Sequence, residues 1–477
     1  MLIKSIKQDH ILNIKIASIF YFVLNSSYSK RNQMTDYTDF VSYLIDTAKK
    51  EGAEIVEVIN VAASSISAQT RLGKLEHYES SESLGFGLRV IIGNKQSIVS
   101  SSDYNLASVN PLIKRAVDMA QVALADPFLT VATTEQYVNS CPDLEIFDAS
   151  EPSKEWLIDT ALATEQAALD QENVTNSEGA SASHSHSEKI FATSNGFFKS
   201  YQSSYNNISM SAVAGKDADM QTDYYYSSAR FVKDLEKPNF IGAQAGRLTA
   251  AKLYPKKLAT SKMPVIFDPR VAQSLLANFA NSINGASIAR GTSFLKDGLH
   301  QQIFNKNINI VDDPHISKGL SSRPFDGEGV AGRKLTLVKD GVLQSWVLDL
   351  RSAKQLSMVT TGHAARGLSS PPHPSVSNLY IEKGSCSKED LMQDIKEGLY
   401  VTDLFGMGIN PITGDYSQGA SGFKIENGAI TYPVSEITIA DNLRVMFQKI
   451  IAANDLVFKY GINSPTLRVD NMTIAGT

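Results

Sequence analysis

Between residues 398 and 443 short apolar runs alternate with turn-forming residues, and this pattern constrains the fold more than any other stretch. Apolar pieces at 399–404, 423–425, 430–434 and 437–439 are punctuated by Gly406, Gly408, Pro411, Gly414, Gly419 and the dipeptide Asn427-Gly428. An Asn-Gly pair flanked by apolar alternation signals a hairpin, because a type I′ turn needs positive φ at both central residues. Residues 424–431 are therefore expected to form a hairpin. The Gly/Thr/Asp/Ser-rich part before it is expected to be a loop or edge with its backbone left open, since its glycines remove side chains where another backbone can approach. Composition alone describes a meandering β-domain with ordinary turns; a peptide-binding edge is the alternative.

The chain has 477 residues, more than one hydrophobic core normally serves, so two or three domains are expected. Its formal net charge of -5, with 20% charged residues and no long run of like charge, argues against a nucleic-acid ligand held by counterion release. Cys141 and Cys386 sit far apart in polar, turn-like surroundings without CxxC spacing, which suits a reducing cytoplasm. Residues 1–33 stand apart. Lys4 and Lys7 precede an apolar run at 16–24 that imitates the centre of a signal peptide but is too short for a bilayer, which needs about 20 apolar residues. Met34 directly precedes a helix start, so an over-long start or a leader without ordered structure is expected ahead of a true export signal. No other stretch could cross a membrane.

Downstream the expected order is helix, antiparallel strands, helix, which is an α+β layer. Phe40, Val41, Leu44, Ile45 and Ala48 fall on one face of a helix over 37–50, stopped by Gly52. Strands are expected at 55–63, 68–76, 84–92 and 96–101, then an amphipathic helix at 110–125. A turn-rich joint at 142–152 leads to a helix over 153–171 with Ser153 as N-cap. Long polar strands follow between 174 and 231, with a hairpin at Asn195-Gly196, then a helix over 240–253 and a boundary near Tyr254-Pro255. A strand at 263–267 precedes a helix over 269–284, whose buried stripe is Val271, Leu275, Leu276 and Phe279. Asp340-Gly341 joins another hairpin. A capping box from Ser387 to Asp390 opens a helix to 397, and 442–452 is the last helix. Domains are placed at 34–140 (α+β), 141–258 (β-hairpins and helix) and 259–477 (β-rich with a few helices).

Few constellations suggest chemistry. His184 and His186 share a strand face at a spacing that can hold a metal, but no third ligand stands nearby, and Ser-His-Ser-His-Ser fits an exposed, wettable sheet face. Asp312-Asp313-Pro314-His315 reads as turn chemistry before a glycine-rich surface loop at 319–332, in which Asp326-Gly327-Glu328-Gly329 is acidic and flexible. His363, Arg366 and His373 belong to a Gly/Pro/Ser surface loop at 360–374 without a partner that marks a site. Gly85 and Gly87 lack the following helix and phosphate-facing residues of a nucleotide loop. There is no Gly-x-Ser-x-Gly elbow and no nucleophile–His–carboxylate set, so a self-contained hydrolase carries little weight.

The run NPITGDYSQGASGFKIENGAITYPVSEITIA at 410–440 resembles the C-terminal signature of the TldD/PmbA family, its PmbA (TldE) branch most closely, and NDLVFKYGINSPTLRVDNMTIAGT looks like the family's closing strands. The resemblance extends back to about residue 38. It implies an α+β protein with N-terminal antiparallel or mixed sheets, helices, and a β-rich C-terminal domain, working as one of two paired subunits of a cytosolic bacterial peptidase. In the TldD partner the helix matching 269–284 carries His-Glu-x-x-x-His, two zinc ligands and the glutamate that activates a metal-bound water. In this chain Ala277 stands at the first ligand, Asn278 at the acid/base and Ser282 at the second ligand. The partner's cysteine ligand, from a glycine-rich insertion near its C-terminus, also has no counterpart at 455–465. The resemblance thus implies no catalytic residue, metal or cofactor in this chain, and zinc in the partner.

The function so implied is a non-zinc-binding subunit of a heteromeric metallopeptidase that degrades or trims unfolded or small peptides, without catalysis by this chain alone. Expected partners are a TldD-like zinc-bearing subunit in a heterodimer, a second copy when the chain is isolated, and peptides, but neither nucleic acid nor membrane. Gly408, Asn410, Thr413, Gly414, Asp415, Ser417, Gly419 and Ser421 are expected to shape the substrate groove, where a peptide adds as a strand. The alternative is a non-enzymatic adaptor, of the gyrase-modulator kind the family was once described as, acting without a peptidase partner. The missing basic stripes weigh against direct DNA binding.

Overall fold

The computed structural model describes residues 37–406 and 408–476; the leader expected at 1–33 lies outside the described residues. In the N-terminal half, α1 (Tyr37–Lys50) precedes β1 (Ile55–Arg71), β2 (Lys74–Ile92) and β3 (Lys95–Ser101). Then come α2 (Leu106–Val122), α3 (Lys154–Leu169), β4 (Val174–Thr193), β5 (Phe198–Ala214), β6 (Gln221–Ala229) and α4 (Pro238–Ala250). The strands form one antiparallel sheet in the order β3-β2-β1-β4-β5-β6. β1 pairs with β4 from Glu57↔Thr193 to Thr70↔Ala180, so the joint at 142–152 lies between two halves of one sheet. α1 and α2 cover one end of it through Phe40, Leu44, Val58, Phe86, Leu88 and Ile113. α3 and α4 cover the other through Leu157, Ala161, Ala182, Ile208, Met210 and Ile241.

The first strands are longer than expected. β1 runs without a break to Arg71, and the chain turns at Leu72 and Gly73, inside what reads as a strand at 68–76. The polar stretch around Ser64, Ser65 and Ser67 remains a strand because it is paired on both sides, by β2 and β4. Cross-strand partners outweigh weak local alternation.

The C-terminal half contains β7 (Ser261–Phe267), α5 (Pro269–Ser282), α6 (Gly285–Ala289), β8 (Ile310–Asp312), β9 (Leu335–Lys339), β10 (Val342–Leu343) and α7 (Leu350–Gln355). After the short pair β11 (Ala364–Ala365) and β12 (His373–Pro374) come β13 (Leu379–Ile381), α8 (Lys388–Met392), β14 (Glu397–Phe405), β15 (Asp415–Glu426) and β16 (Ala429–Asn442). The chain ends with α9 (Leu443–Lys449), β17 (Ile451–Ala452), β18 (Ile462–Asn463) and β19 (Leu467–Ala475). The order β16-β15-β14-β7-β19 closes on itself, because β19 returns to β16 from Thr438↔Ala475 to Ala440↔Thr473. This small barrel is filled by Val265, Phe267, Tyr416, Ile437, Ile439 and Val469, continuous with Phe279, Phe304 and Phe447 outside it. Closure removes free edges. The backbone of 415–426 is accordingly not open, since β15 is paired by β14 on one side and β16 on the other. Asn427 and Gly428 make the expected tight turn, with φ of 51° and 81°.

Parts of two loops expected at the surface are interior, while Gly367, Ser369, Pro371 and His373 are exposed. Phe325, Asp326, Glu328, Val330, His363, Ala364 and Arg366 are all 8% exposed or less. They form the junction between the long sheet and the barrel, where Phe325 packs with Phe191, Phe197 and Tyr137. Asp326 accepts from the N–H groups of Glu328, Val330 and Ala364 at 2.8, 2.9 and 3.0 Å. Arg366 reaches Glu57 of β1 at 2.6 Å, and Arg89 binds the same carboxylate at 2.8 Å. A Cβ on Gly87 would stand 2.0 Å from the Leu368 carbonyl oxygen, so the glycines of β2 admit this loop's backbone against the sheet. Glycines and charges that read as exposure instead satisfy and admit buried backbone.

Asp312 likewise ends β8 and is fully buried, while the turn is confined to Asp313-Pro314-His315, where Asp313 Oδ1 accepts from the His315 N–H at 2.9 Å. His363 does have a partner: its Nε2 lies 2.9 Å from Asp312 Oδ2, and its Nδ1 lies 2.8 Å from the Thr361 carbonyl oxygen. Ser377 Oγ donates to the same carboxylate at 2.5 Å. With His363 1% exposed and Asp312 0%, this set ties strands together out of reach of solvent. His184 is also buried, 2.7 Å from Asn206 Oδ1, rather than on a wettable face. No helix among the described residues is long and apolar enough to cross a membrane.

Candidate functional site

Helix α5 starts sharply because Asp268 caps it, accepting from Arg270 N at 3.0 Å, with Pro269 in the first turn. Val271, Ala272, Leu275, Leu276 and Phe279 bury one face in the core. The opposite face borders an open cleft of about 480 Å³, lined by Gln273, Ser274 and Ala277 with Tyr224, Asp403 and Phe405. Ala277 presents only a methyl group there. Asn278 Nδ2 donates to Ser274 O, and Ser282 Oγ to Asn278 O, each at 2.7 Å, so both polar groups are bonded to their own helix. Zinc needs imidazole, thiolate or carboxylate donors converging from several directions. An alanine, a helix-bonded amide and a helix-bonded hydroxyl do not fit it. Among the described residues no group of three or more His, Cys, Asp or Glu side chains stands where it could hold a metal ion.

Arg270 and Asp403 line this cleft and belong to a network of five charged groups that crosses from the long sheet to the barrel. Lys252, just beyond α4, bridges Asp223 of β6 at 2.9 Å and Asp403 of β14 at 2.8 Å. Arg270 binds Asp223 at 3.1 Å and lies 3.5 Å from Asp268, to which Tyr400 donates at 2.6 Å. Burial alone would raise the Asp403 carboxyl, but Lys252 and the Thr402 hydroxyl hold it below its ordinary range. Burial works against the Arg270 charge, and Asp223 and Asp268 more than offset it, keeping the guanidinium firmly protonated. Burial and the Asp268 carboxylate push the Tyr400 phenol up. Nothing local marks these residues, because they come from four separate segments.

The glycine-rich residues divide between two places. Ser421 Oγ donates to Asp403 Oδ2 at 3.1 Å, so Ser421 reaches the cleft's charge network, and Gly419 sits against Phe405 on the cleft wall. Gly408, Asn410, Thr413, Gly414, Asp415 and Ser417 form instead a self-bonded tip. Asn410 Oδ1 accepts from Ile412 N at 2.9 Å, Thr413 Oγ1 donates to Asp415 at 2.6 Å, and Asn442 Nδ2 donates to Asp415 at 3.0 Å. A Cβ on Gly408 would fall 1.6 Å from the Ser417 carbonyl oxygen, so glycine is required for the two backbones to meet.

The fold is a long-stranded sheet docked on a closed barrel, with a cleft at α5 between them. Models described as PmbA/TldA metallopeptidase domain 1, central domain and C-terminal domain match residues 56–120, 147–253 and 260–476. The metalloprotease PmbA of Escherichia coli is 37% identical over 432 residues, 90% of this chain and 93% of that one. A Haemophilus influenzae homologue of PmbA is 33% identical, over 95% of this chain and 99% of its own. This chain belongs to the PmbA/TldD metallopeptidase family. Among solved structures, a Bacteroides thetaiotaomicron protein described as a candidate modulator of DNA gyrase superposes with a TM-score of 0.85 at 26% identity, covering 93% of this chain and 100% of that one. TldE from Thermococcus kodakarensis shares the fold, with a TM-score of 0.82 at 20% identity over 92% and 100%.

Proposed function

We propose that this chain is the zinc-free subunit of a cytoplasmic two-chain metallopeptidase, shaping the chamber in which a zinc-bearing TldD-like subunit cuts unfolded or small peptides. The observation that carries this reading is Ala277, a methyl group facing the cleft, with Asn278 and Ser282 bonded back to α5. A subunit of this kind contributes binding and water exclusion, while its partner contributes the metal and the base. Since the barrel is closed, an extended peptide would add along β6, which among the described residues pairs only with β5 and brings Tyr224 to the cleft. The tip from Gly408 to Ser417 would border the same groove, and the isolated chain would pair with itself.

Co-expression with a sister chain carrying His-Glu-x-x-x-His tests this. Metal analysis of each separated subunit should find zinc in the sister chain alone, and peptide cleavage should require both. Stoichiometric zinc in this chain by itself, with hydrolysis to match, would overturn the reading.

A further inference from the structure

A second groove, of about 150 Å³, lies on the long sheet away from α5. Its floor crosses β2, β1, β4 and β5, where the registers set Ser83, Ser187 and Ser203 in one row and Ser81, Ser65 and Ser185 in the next. Opposed residues, and residues two apart, share a sheet face, so these hydroxyls belong to one surface. Ser187 and Ser203 lie 3.1 Å apart, and only one hydrogen can sit between them, which leaves the other hydroxyl free to donate outward. Arg230 also lines the groove, and no Asp or Glu does.

Arg230 is 8% exposed and, among the described residues, meets only carbonyl oxygens: Ser204 at 2.9 Å, Gly319 at 3.2 Å and Leu320 at 2.6 Å. A guanidinium has five N–H donors, so three carbonyls leave two without an acceptor and the charge without a counter-ion. Burial lowers its pKa, and the groups opposing that shift are the phenols of Tyr201 and Tyr205. Lys189, Arg323 and Arg366 stand nearby, with Asp326 as the carboxylate that acts on Lys189 and Arg323. Lys189, two residues along β4 from Ser187, is pushed down to about 8 by burial and by the charges of Arg323 and Arg366. Arg323 Nε is buried without an acceptor. A burial this costly calls for an anion.

We propose that this groove binds an oxyanion, a carboxylate or a phosphate group, with Arg230 supplying the charge and the serine hydroxyls of the floor supplying further donors. Both sources share planar or tetrahedral oxygens that accept several donors at once.

Calorimetric titration of the full chain decides it, using inorganic phosphate, a short peptide with a free C-terminal carboxylate, and the same peptide as its C-terminal amide. Phosphate or the peptide acid should bind, and the amide at least about tenfold more weakly than the acid if the source is a peptide end. Binding of phosphate alone assigns the groove to phosphorylated ligands. Arg230→Gln, which keeps donors and removes the charge, should abolish binding. The S187A/S203A pair should weaken it several-fold at an unchanged melting temperature. The serine pair stands as the deciding variant if Arg230→Gln does not fold. No binding of either oxyanion at millimolar concentration overturns the proposal, as does binding that survives these substitutions or that treats acid and amide alike without phosphate.

Discussion

Burial, with the neighbouring carboxylates of Asp326 and Asp349, holds the Glu328 carboxyl well above its ordinary 4.5, although its Oε2 accepts from the Leu350 N–H at 2.9 Å. A carboxyl whose pKa is higher in the folded than in the unfolded chain contributes stability at low pH and loses it as pH rises through the folded value. Glu57 has the opposite sign: burial would raise it, but Arg89 and Arg366 hold it below its ordinary value, so its contribution is present at neutral pH and lost on acidification. Glu328→Gln, which keeps an acceptor for Leu350, is therefore expected to raise the melting temperature near neutral pH and flatten its decline from about pH 4.5 upward. Melting curves across a pH series check this; parallel wild-type and variant slopes would show that Glu328 does not titrate in that window. At this scale the sequence is nearly silent. Asp312 and His363 carry no local sign of their contact, and Glu328 between two glycines looks like a surface turn.

Among the elements, α5 was the most legible and the barrel the least. Pro269 in the first turn, an acceptor at Asp268 and apolar residues at helical spacing define the helix within a few positions, because capping and periodicity act between near neighbours. Asp268→Ala should destabilise the protein by about 1–2 kcal/mol, through the lost cap and a Tyr400 hydroxyl left without its acceptor. Asp268→Asn should recover most of that loss in urea titrations, and equal losses for both would mean that the cap is not what matters. The hairpin at Asn427-Gly428 was equally readable. The polar half of β1 was not, because one side of its pairing is made to β4, more than a hundred residues away.

Across the molecule, the sheet and the barrel are joined by buried charge as well as by aromatic packing. Lys252 stands between Asp223, whose side chain is 1% exposed, and Asp403. Lys252→Met keeps the length of the side chain, removes the ion-pair partner of Asp403 and leaves Asp223 with Arg270 alone. Removing one member of a buried ionic set costs about 3–5 kcal/mol, so the variant should melt lower and release the two halves in separate calorimetric steps. A single unshifted transition would mean that the aromatic junction around Phe325 alone holds them. The same comparison separates the two candidate sites. The methyl of Ala277 at the cleft was readable as a missing ligand once the family pattern was recognised, whereas the charges beneath it come from β6, the segment after α4, the start of α5, and β14, and share no motif.

What the amino-acid order determined by itself is therefore local: helices, turns, an α+β composition and the absence of metal-binding side chains along α5. These depend on each residue's own chemistry and on neighbours within a turn or a hairpin. Only the tertiary structure decided that the meander closes into a barrel, that parts of two polar loops lie inside, and that Arg230 borders a row of serines with no counter-ion among the described residues. Those outcomes depend on which distant segments meet, and a contact between distant segments is fixed by the packing of the whole.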